Sequence, residues 1–274
     1  MKISIQGEIG SFSHMAAKKL YGDHIEFLCQ ASFKEVFADL KEDRADAIVV
    51  PIENSTYGSI YQNYDHLTNN KFRINSELYL KINFQLIVNP GTKLENINEL
   101  YTHPVAMGQI QGFLIKNPQI KPIEFHDTAG SVEMIKNKGL INASAASSRN
   151  SAKTYGMEIV KENIQDNLKN YTRFFGLSKN STTTDVKVNK TTIEFELGEE
   201  AGSLYKVLEF FYKRNIALVK IESRPIINTD WEYTFYLDFL AGEDEINSHI
   251  SELKYAVRHF RVLGSYVKGE YLNT

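Results

Sequence analysis

The stretch Ala45-Asp46-Ala47-Ile48-Val49-Val50 runs without interruption into Pro51-Ile52-Glu53-Asn54-Ser55. A short apolar run of this kind, bounded by turn residues, reads as a strand covered on both faces, and such strands belong to α/β sheets flanked by helices. A helix is expected soon after Gly58. In open α/β sheets, ligands collect beyond the carboxyl ends of the strands, which is where Glu53, Asn54 and Ser55 stand. A carboxylate at a strand end can equally serve the start of the next helix, so Glu53 has a structural reading beside the functional one.

The same strand-then-helix grammar repeats along the first two thirds of the chain. Ile3 and Ile5 mark a strand ending at Gly7, and Ser13 is expected to cap a helix through Ala16, Ala17 and Leu20. Gly7 and Gly10 permit a tight turn, so amides near Ser11, Phe12 and Ser13 are expected to face an anion at a helix start. This is no nucleotide loop, since Gly-Lys-Ser/Thr is missing and two glycines fall short of Gly-x-Gly-x-x-Gly. Ser32-x-x-Glu35 is a capping box opening a helix with Val36 and Leu40 on one face. Tyr79 to Val88 reads as strand, Leu94 to Tyr101 as helix and Pro104 to Met107 as a short strand, with a helix near Gln111 to Ile115. Ile123-Glu124-Phe125 leads into Asp127-Thr128-Ala129-Gly130-Ser131, another strand end of small and hydroxyl residues. Asn142 to Tyr155, rich in Ala and Ser, reads as a closely packed helix. Chain crossovers near Leu78 to Lys81 and again near Ile164 to Thr172 imply two lobes joined by two strands.

Bulk numbers narrow the function. With 274 residues the chain suggests about two domains. A net charge of -3 argues against nucleic acid and anionic membranes as partners, so an anionic ligand needs a locally positive pocket. One cysteine, Cys29, excludes an intrachain disulfide and a multi-cysteine metal site, and its apolar neighbours favour packing over nucleophilic chemistry. The seven histidines show no His-x-x-x-His or His-Glu-x-x-His spacing, so neither a metal nor a cofactor is expected. The N-terminus lacks the pattern of a signal peptide, and no apolar run is long enough to span a bilayer. A cytoplasmic protein is the expectation.

Asn170-Tyr171-Thr172-Arg173-Phe174-Phe175-Gly176-Leu177 sets a hydroxyl beside a guanidinium at the start of a β-prone run. Consecutive strand residues face opposite ways, so only a turn or bulge beginning at Asn170 lets Thr172 and Arg173 reach one small volume. Such a pair suits an anion with a leaving hydroxyl. With Ile164 and Asp166 ahead of it, Asn170-x-Thr172-Arg173-Phe174 resembles the Thr-Arg-Phe signature of prephenate dehydratases. Gly7 to Ala17, Pro51-Ile52-Glu53-Asn54-Ser55, Asp127-Thr128-Ala129-Gly130 and Glu222-Ser223-Arg224-Pro225 resemble the same family in the same order. Gln109, after His103-Pro104, resembles its His-Pro-x-x-x-x-Gln. Glu8 and Ser11 stand where the family usually has Pro and Thr. Ser11 keeps the hydroxyl, and Glu8 is expected to point away from a dianion.

The resemblance implies a two-lobed catalytic domain of the type II periplasmic-binding-protein kind over 1–181. Lobe 1 is expected at about 1–78 and 165–181, and lobe 2 at about 79–164. Lys179 to Asp185 reads as a linker. Beyond it the order βαββαβ over 190–270 is that of a ferredoxin-like sandwich, marked by Leu204, Val207, Leu208 and Phe211 on one helix face. It resembles the ACT domain that binds phenylalanine in the family. The implied effector residues are Gly202, Ser203, Leu204, Ala217, Leu218, Glu222, Ser223, Arg224 and Pro225. Ser203 replaces a usual Ala and Ala217 a frequent Asn, which bears on effector affinity. Pairing through such domains implies a homodimer or homotetramer.

The implied reaction is the conversion of prephenate to phenylpyruvate with loss of CO2 and water, inhibited by L-phenylalanine. Thr172 is expected to donate to the departing hydroxyl and Arg173 to supply positive charge to a carboxylate or to the loop holding it. Glu53 either orders Arg173 or is held protonated as an acid. Ser11, Phe12, Ser13, Asn54, Ser55, Gln109, Thr128, Ala129, Gly130, Asn170 and Phe174 complete the implied substrate site. With no mutase-like segment ahead of Met1, a monofunctional enzyme is expected. Alternatives are an arogenate dehydratase, which performs the same elimination with an amine in place of the keto group, and a non-catalytic amino-acid-sensing binding protein.

Overall fold

The computed structural model describes residues 1–180, 187–226, 229–230, 232–247 and 249–274. The chain divides into two compact units. One comprises Met1–His66, Leu78–Gly176 and Glu270–Thr274, and the other Leu67–Glu77 and Leu177–Gly269.

The first unit is built around two sheets. In chain order its first lobe contains β1 (Lys2–Gln6), α1 (Phe12–Tyr21), β2 (Glu26–Gln30), α2 (Phe33–Lys41), β3 (Ala47–Asn54), β4 (Gly58–Ser59), α3 (Tyr61–Asn69) and β5 (Arg73–Lys81). The second lobe adds β6 (Gln85–Val88), β7 (Glu99–Thr102), α4 (Pro104–Gly108), α5 (Gln111–Lys116), β8 (Lys121–Glu124), α6 (Thr128–Lys138), β9 (Ala143–Ser147), α7 (Arg149–Tyr155) and β10 (Glu158–Lys161), after which β11 (Tyr171–Ser178) returns to the first sheet. The lobe 1 sheet runs β2-β1-β3-β11-β5, with β4 paired to β3, and the lobe 2 sheet runs β8-β7-β9-β6-β10. The chain leaves lobe 1 after β5 and comes back through β11, which lies between β3 and β5. These are the two crossings expected of a two-lobed α/β architecture.

Ile3, Ile5, Ala47, Val49, Leu80 and Phe174 form the core of lobe 1, and Leu86, Val88, Leu100, Ile110 and Ala146 that of lobe 2. Phe12 packs against both cores, its ring edge-on to Phe84 at 5.6 Å.

Four local expectations are corrected. Asn142 to Tyr155 is not one helix, because Ala143–Ser147 is strand β9, wholly buried between β6 and β7, and only α7 is helical. Its small side chains reflect α6 and α7 packed close to the sheet. Leu94, Ile97 and Leu100 are spaced as on a helix, but Leu94–Asn96 is one 3-10 turn and Glu99–Thr102 is β7, burying Leu100 and Thr102 alternately. Pro104 opens helix α4 at its first turn, with His103 Nδ1 accepting from the Val105 amide as cap. Helix α1 is capped by Ser11, whose side chain accepts from the His14 amide, and Ser13 lies inside the first turn.

The second unit holds β12 (Lys190–Glu196), α8 (Ser203–Lys213), β13 (Leu218–Pro225), β14 (Tyr233–Phe239), α9 (Glu243–Ile246), α10 (Ile250–Tyr255) and β15 (His259–Tyr266). The final strand of the chain, β16 (Tyr271–Leu272), belongs to the first unit and pairs with Tyr79 and Leu80 in its sheet. The four strands of the second unit are all antiparallel in the order β13-β14-β12-β15, the ferredoxin-like βαββαβ arrangement. Ile193, Phe195, Val207, Phe211, Leu237, Phe239 and Leu253 form its core. The expected linker Lys179 to Asp185 falls largely on 181–186, outside the described residues. Among the described residues no helix is long and apolar enough to cross a membrane.

Candidate active site

A cavity of about 570 Å³ opens at the strand ends of the first unit. Its wall takes Ser11, Phe12 and Ser13 from the start of α1, Ser32 and Phe33 from the start of α2, His103, Val105 and Ala106 from α4, and Asp127 and Thr128 from the start of α6. Asn54, Thr172 and Phe174 rise from β3 and β11, and Gln109 closes the lobe 2 side. Helix starts carry unsatisfied amides and the positive end of the helix dipole, so several of them around one volume create a positive potential. Among the described residues the lining contains neither Lys nor Arg. The polar groups of the lining are amides, hydroxyls, side-chain amides, the His103 imidazole and the Asp127 carboxylate.

One hydrogen-bonded chain fixes the polar wall. Asn54 Oδ1 accepts from the backbone amides of Thr56 and Tyr57 at 2.9 and 2.8 Å, which settles the orientation of its amide. Its Nδ2 therefore faces inward and donates to Asn170 Oδ1 at 2.8 Å and Thr172 Oγ1 at 3.0 Å. Asn170 Nδ2 in turn donates to Gln109 Oε1 at 2.7 Å, joining the two lobes. Donor arithmetic has two consequences. Thr172 Oγ1 already accepts, so its own proton is available to a ligand, and Gln109, its oxygen occupied, presents Nε2–H to the cavity.

The extended strand separates the Thr172-Arg173 pair. Thr172 faces the cavity, whereas Arg173 lies behind the wall, with its guanidinium 4.6 Å from the Phe175 ring centre and 3.6 Å from Glu53 Oε2. The two side chains do not reach one volume. Glu53 likewise points away from the lining, and Ser55 bonds the backbone of Lys169 and Tyr171 outside it. Asn170 is buried behind Asn54 and Gln109. Thr128 lines the cavity, but the Gly130 amide is taken by Asp127 Oδ1, and Ala129 is fully buried.

His103, Phe84 and the Asp127 side chain also line the cavity; His103 and Asp127 fall within the family motifs without being among the expected site residues, and Phe84 falls in none of them. Pro104 at a helix start is the available signal for His103, and Asp127 three residues before Gly130 the signal for a cap. Phe84 carries none. Burial lowers the affinity of His103 for a proton, with Asp127 and Glu124 pulling the other way. Glu8 is pushed up by burial, then by Glu133 and Asp127. Burial, then Glu8 and Asp127, push the Cys29 thiol up to about 11, which keeps it from being a nucleophile at neutral pH.

In the second unit, Gly202 opens α8 at φ 84°, and Leu218, Glu222, Ser223, Arg224 and Pro225 lie along β13, the edge strand of its sheet. Ala217 precedes that strand and accepts from the Leu240 amide.

Fold and cavity together define a two-lobed α/β protein with a cavity at its strand ends, followed by a ferredoxin-like sandwich. A family model described as prephenate dehydratase matches residues 3–182. The bifunctional chorismate mutase/prephenate dehydratase of Aquifex aeolicus is 34% identical over 274 residues, covering 98% of this chain and 74% of that protein. The chloroplastic arogenate dehydratase 5 of Arabidopsis thaliana is 36% identical over 287 residues, covering 97% and 67%. The crystal structure of prephenate dehydratase from Arthrobacter aurescens in complex with L-Phe matches with a TM-score of 0.88 at 25% identity, covering 98% of this chain and 90% of that one. The chain belongs to the prephenate dehydratase family.

Proposed function

We infer that this protein is a prephenate dehydratase that converts prephenate to phenylpyruvate, CO2 and water for phenylalanine synthesis in the cytoplasm. The observation that carries the chemistry is Thr172, whose oxygen accepts from Asn54 at 3.0 Å and whose proton is left for the cavity. Prephenate is a dianion with a ring hydroxyl. Breaking the ring-to-carboxylate bond sends its electron pair into the ring as the carbon-oxygen bond breaks. The hydroxyl leaves as water with one proton, which Thr172 delivers and solvent restores.

The amides of α1 and α6, with Gln109, hold the retained carboxylate. Phe12, Phe84 and Phe174 surround the ring and leave the departing carboxylate poorly solvated, which favours its conversion to neutral CO2. Arg173 and Glu53 act from behind the wall, where Glu53 orders the guanidinium and the pair braces the strand carrying Thr172.

The catalytic domain is assigned to 1–181 and an ACT regulatory domain to 190–270. The βαββαβ order and the positive φ of Gly202 support the second assignment. L-Phenylalanine is the proposed effector, at Gly202 to Leu204 and Ala217 to Pro225, within a homodimer or homotetramer. The Arthrobacter structure, solved with L-Phe, supports the effector. The test is phenylpyruvate formation from prephenate, followed by alkaline ultraviolet absorbance with and without L-phenylalanine. Turnover that phenylalanine suppresses is the expected result, and phenylalanine binding without turnover of prephenate or arogenate would leave a sensor instead.

A further inference from the structure

Gly10 lies in the turn between β1 and α1, and its peptide is gripped from both lobes. Within lobe 1 its amide donates to His14 Nδ1 at 3.2 Å. From lobe 2, Ser148 Oγ donates to its carbonyl oxygen at 2.7 Å, and Asn150 Nδ2 stands 3.4 Å from the same His14 nitrogen. The fit leaves no spare room. A Cβ on Gly10, which has φ 96°, would stand 2.9 Å from the Ser151 Cα, so the backbone of the turn lies directly on the start of α7. Ser148 and Ser151 are fully buried.

Ser148 performs two tasks with one hydroxyl. Its oxygen accepts from the Ser151 amide at 2.9 Å, which caps α7, while its proton crosses to Gly10 in the other lobe. Capping asks only for the acceptor. Neither Gly10 nor Ser148 lines the cavity, yet Ser11, Phe12 and Ser13, which follow Gly10 directly, do. A turn held by lobe 1 alone would take its place from that lobe. The Ser148 bond ties it to lobe 2, which brings Gln109 and the start of α6 to the same volume.

We infer that Ser148 is a positioning residue for the reaction, which acts through Gly10 to fix the start of α1 in register with lobe 2. This rests on the dehydratase reading above, in which the α1 amides hold the retained carboxylate. The bonds from Asn54 to Thr172 and Asn170 do not pass through Gly10, so the proton donor keeps its place when the tie is cut.

The test is kcat and KM for prephenate in wild type, Ser148→Ala, Ser148→Gly and Gly10→Ala, with urea unfolding alongside. Both Ser148 replacements remove the hydroxyl, but Gly is tolerated at a helix N-cap far better than Ala, so the two differ in their cost to α7 and not in what Gly10 loses. KM should rise about tenfold in both, the loss expected when a buried carbonyl is left without its donor. Turnover should stay within about threefold, because the carboxylate is held equally before and during bond breaking. Gly10→Ala pushes the turn off α7 with Ser148 intact, and should raise KM at least as much. An unchanged KM in the Ser148 variants, or one that rises only as stability falls, more in Ala than in Gly, would make Ser148 a cap only and overturn the inference. A fall in kcat as large as the rise in KM would overturn it too. A wild type that does not turn over prephenate removes the dehydratase reading and this inference with it, whereas active variants with wild-type KM remove the inference alone.

Discussion

The cleft of the first unit and the core of the second treat charge in opposite ways. In the cleft, helix starts and amides surround a volume with no Lys or Arg among the described residues of its lining, and positive potential comes from neutral groups. In the second unit, Lys190 is 1% exposed and bonds Glu77 at 2.6 Å, with Asp238 at 3.7 Å, while Thr192 Oγ1 bonds Asp238 Oδ1 at 2.7 Å. Charges already paired inside a protein have no capacity left for a ligand. Fixed dipoles with no charged partner keep theirs, and need no reorganisation when an anion arrives.

The largest test of this contrast is Thr172→Ala. It removes the one hydroxyl proton directed by Asn54 and leaves the helix starts in place. Turnover should fall about 10²- to 10⁴-fold, the usual yield of a positioned proton donor, with KM little changed. A loss below roughly tenfold would mean that dipoles alone carry the reaction. Lys190→Met attacks the other region. It strands Glu77 and Asp238 in the core and should cost about 3–5 kcal/mol in urea unfolding. Adding Glu77→Gln should recover part of that loss, and an unaltered midpoint would show that the cluster contributes nothing.

The scaffold is more legible in the sequence than the contrast is. Strand ends at Gly7, Asn54 and Asp127 are readable because apolar runs stop at turn residues there, and the family motifs fall on the same positions. What depends on packing is hidden. Ala143–Ser147 looks helical by composition, yet small residues in a central strand let two helices approach it. Thr172 and Arg173 are adjacent in sequence and opposite in space because β11 is extended there. The partnership of Asn54, Asn170 and Gln109 joins positions 116 and 61 residues apart, which no local pattern encodes.

His14 offers a smaller test, on the floor of the α1 turn. Burial and Lys18 lower its pKa to about 4, and neutral Nδ1 accepts from the Gly10 amide at 3.2 Å. Because the folded value lies below the ordinary 6.5, the stabilisation is present above pH 6.5 and is lost as pH falls toward 4. At about 1.4 kcal/mol per unit, the loss across that window is about 3 kcal/mol. Urea midpoints at pH 7 and pH 4.5 should converge in His14→Gln, which keeps an acceptor for Gly10 without the titration. An unchanged slope would assign the acid sensitivity elsewhere.

The smallest effect is expected from Glu53→Gln, and it decides which region Glu53 belongs to. Glu53 stands 3.6 Å from Arg173 with its side chain 35% exposed, so the pair is partly screened, and the guanidinium keeps its stacking on Phe175 when the charge is gone. Stability should change by less than about 1 kcal/mol. Turnover should fall less than about tenfold, with an unshifted pH profile, since a group behind the wall acts only through the placement of β11. A loss of about 10²-fold with an altered acid limb would instead make Glu53 a proton donor to the substrate, and the cleft would then rely on a side-chain charge after all.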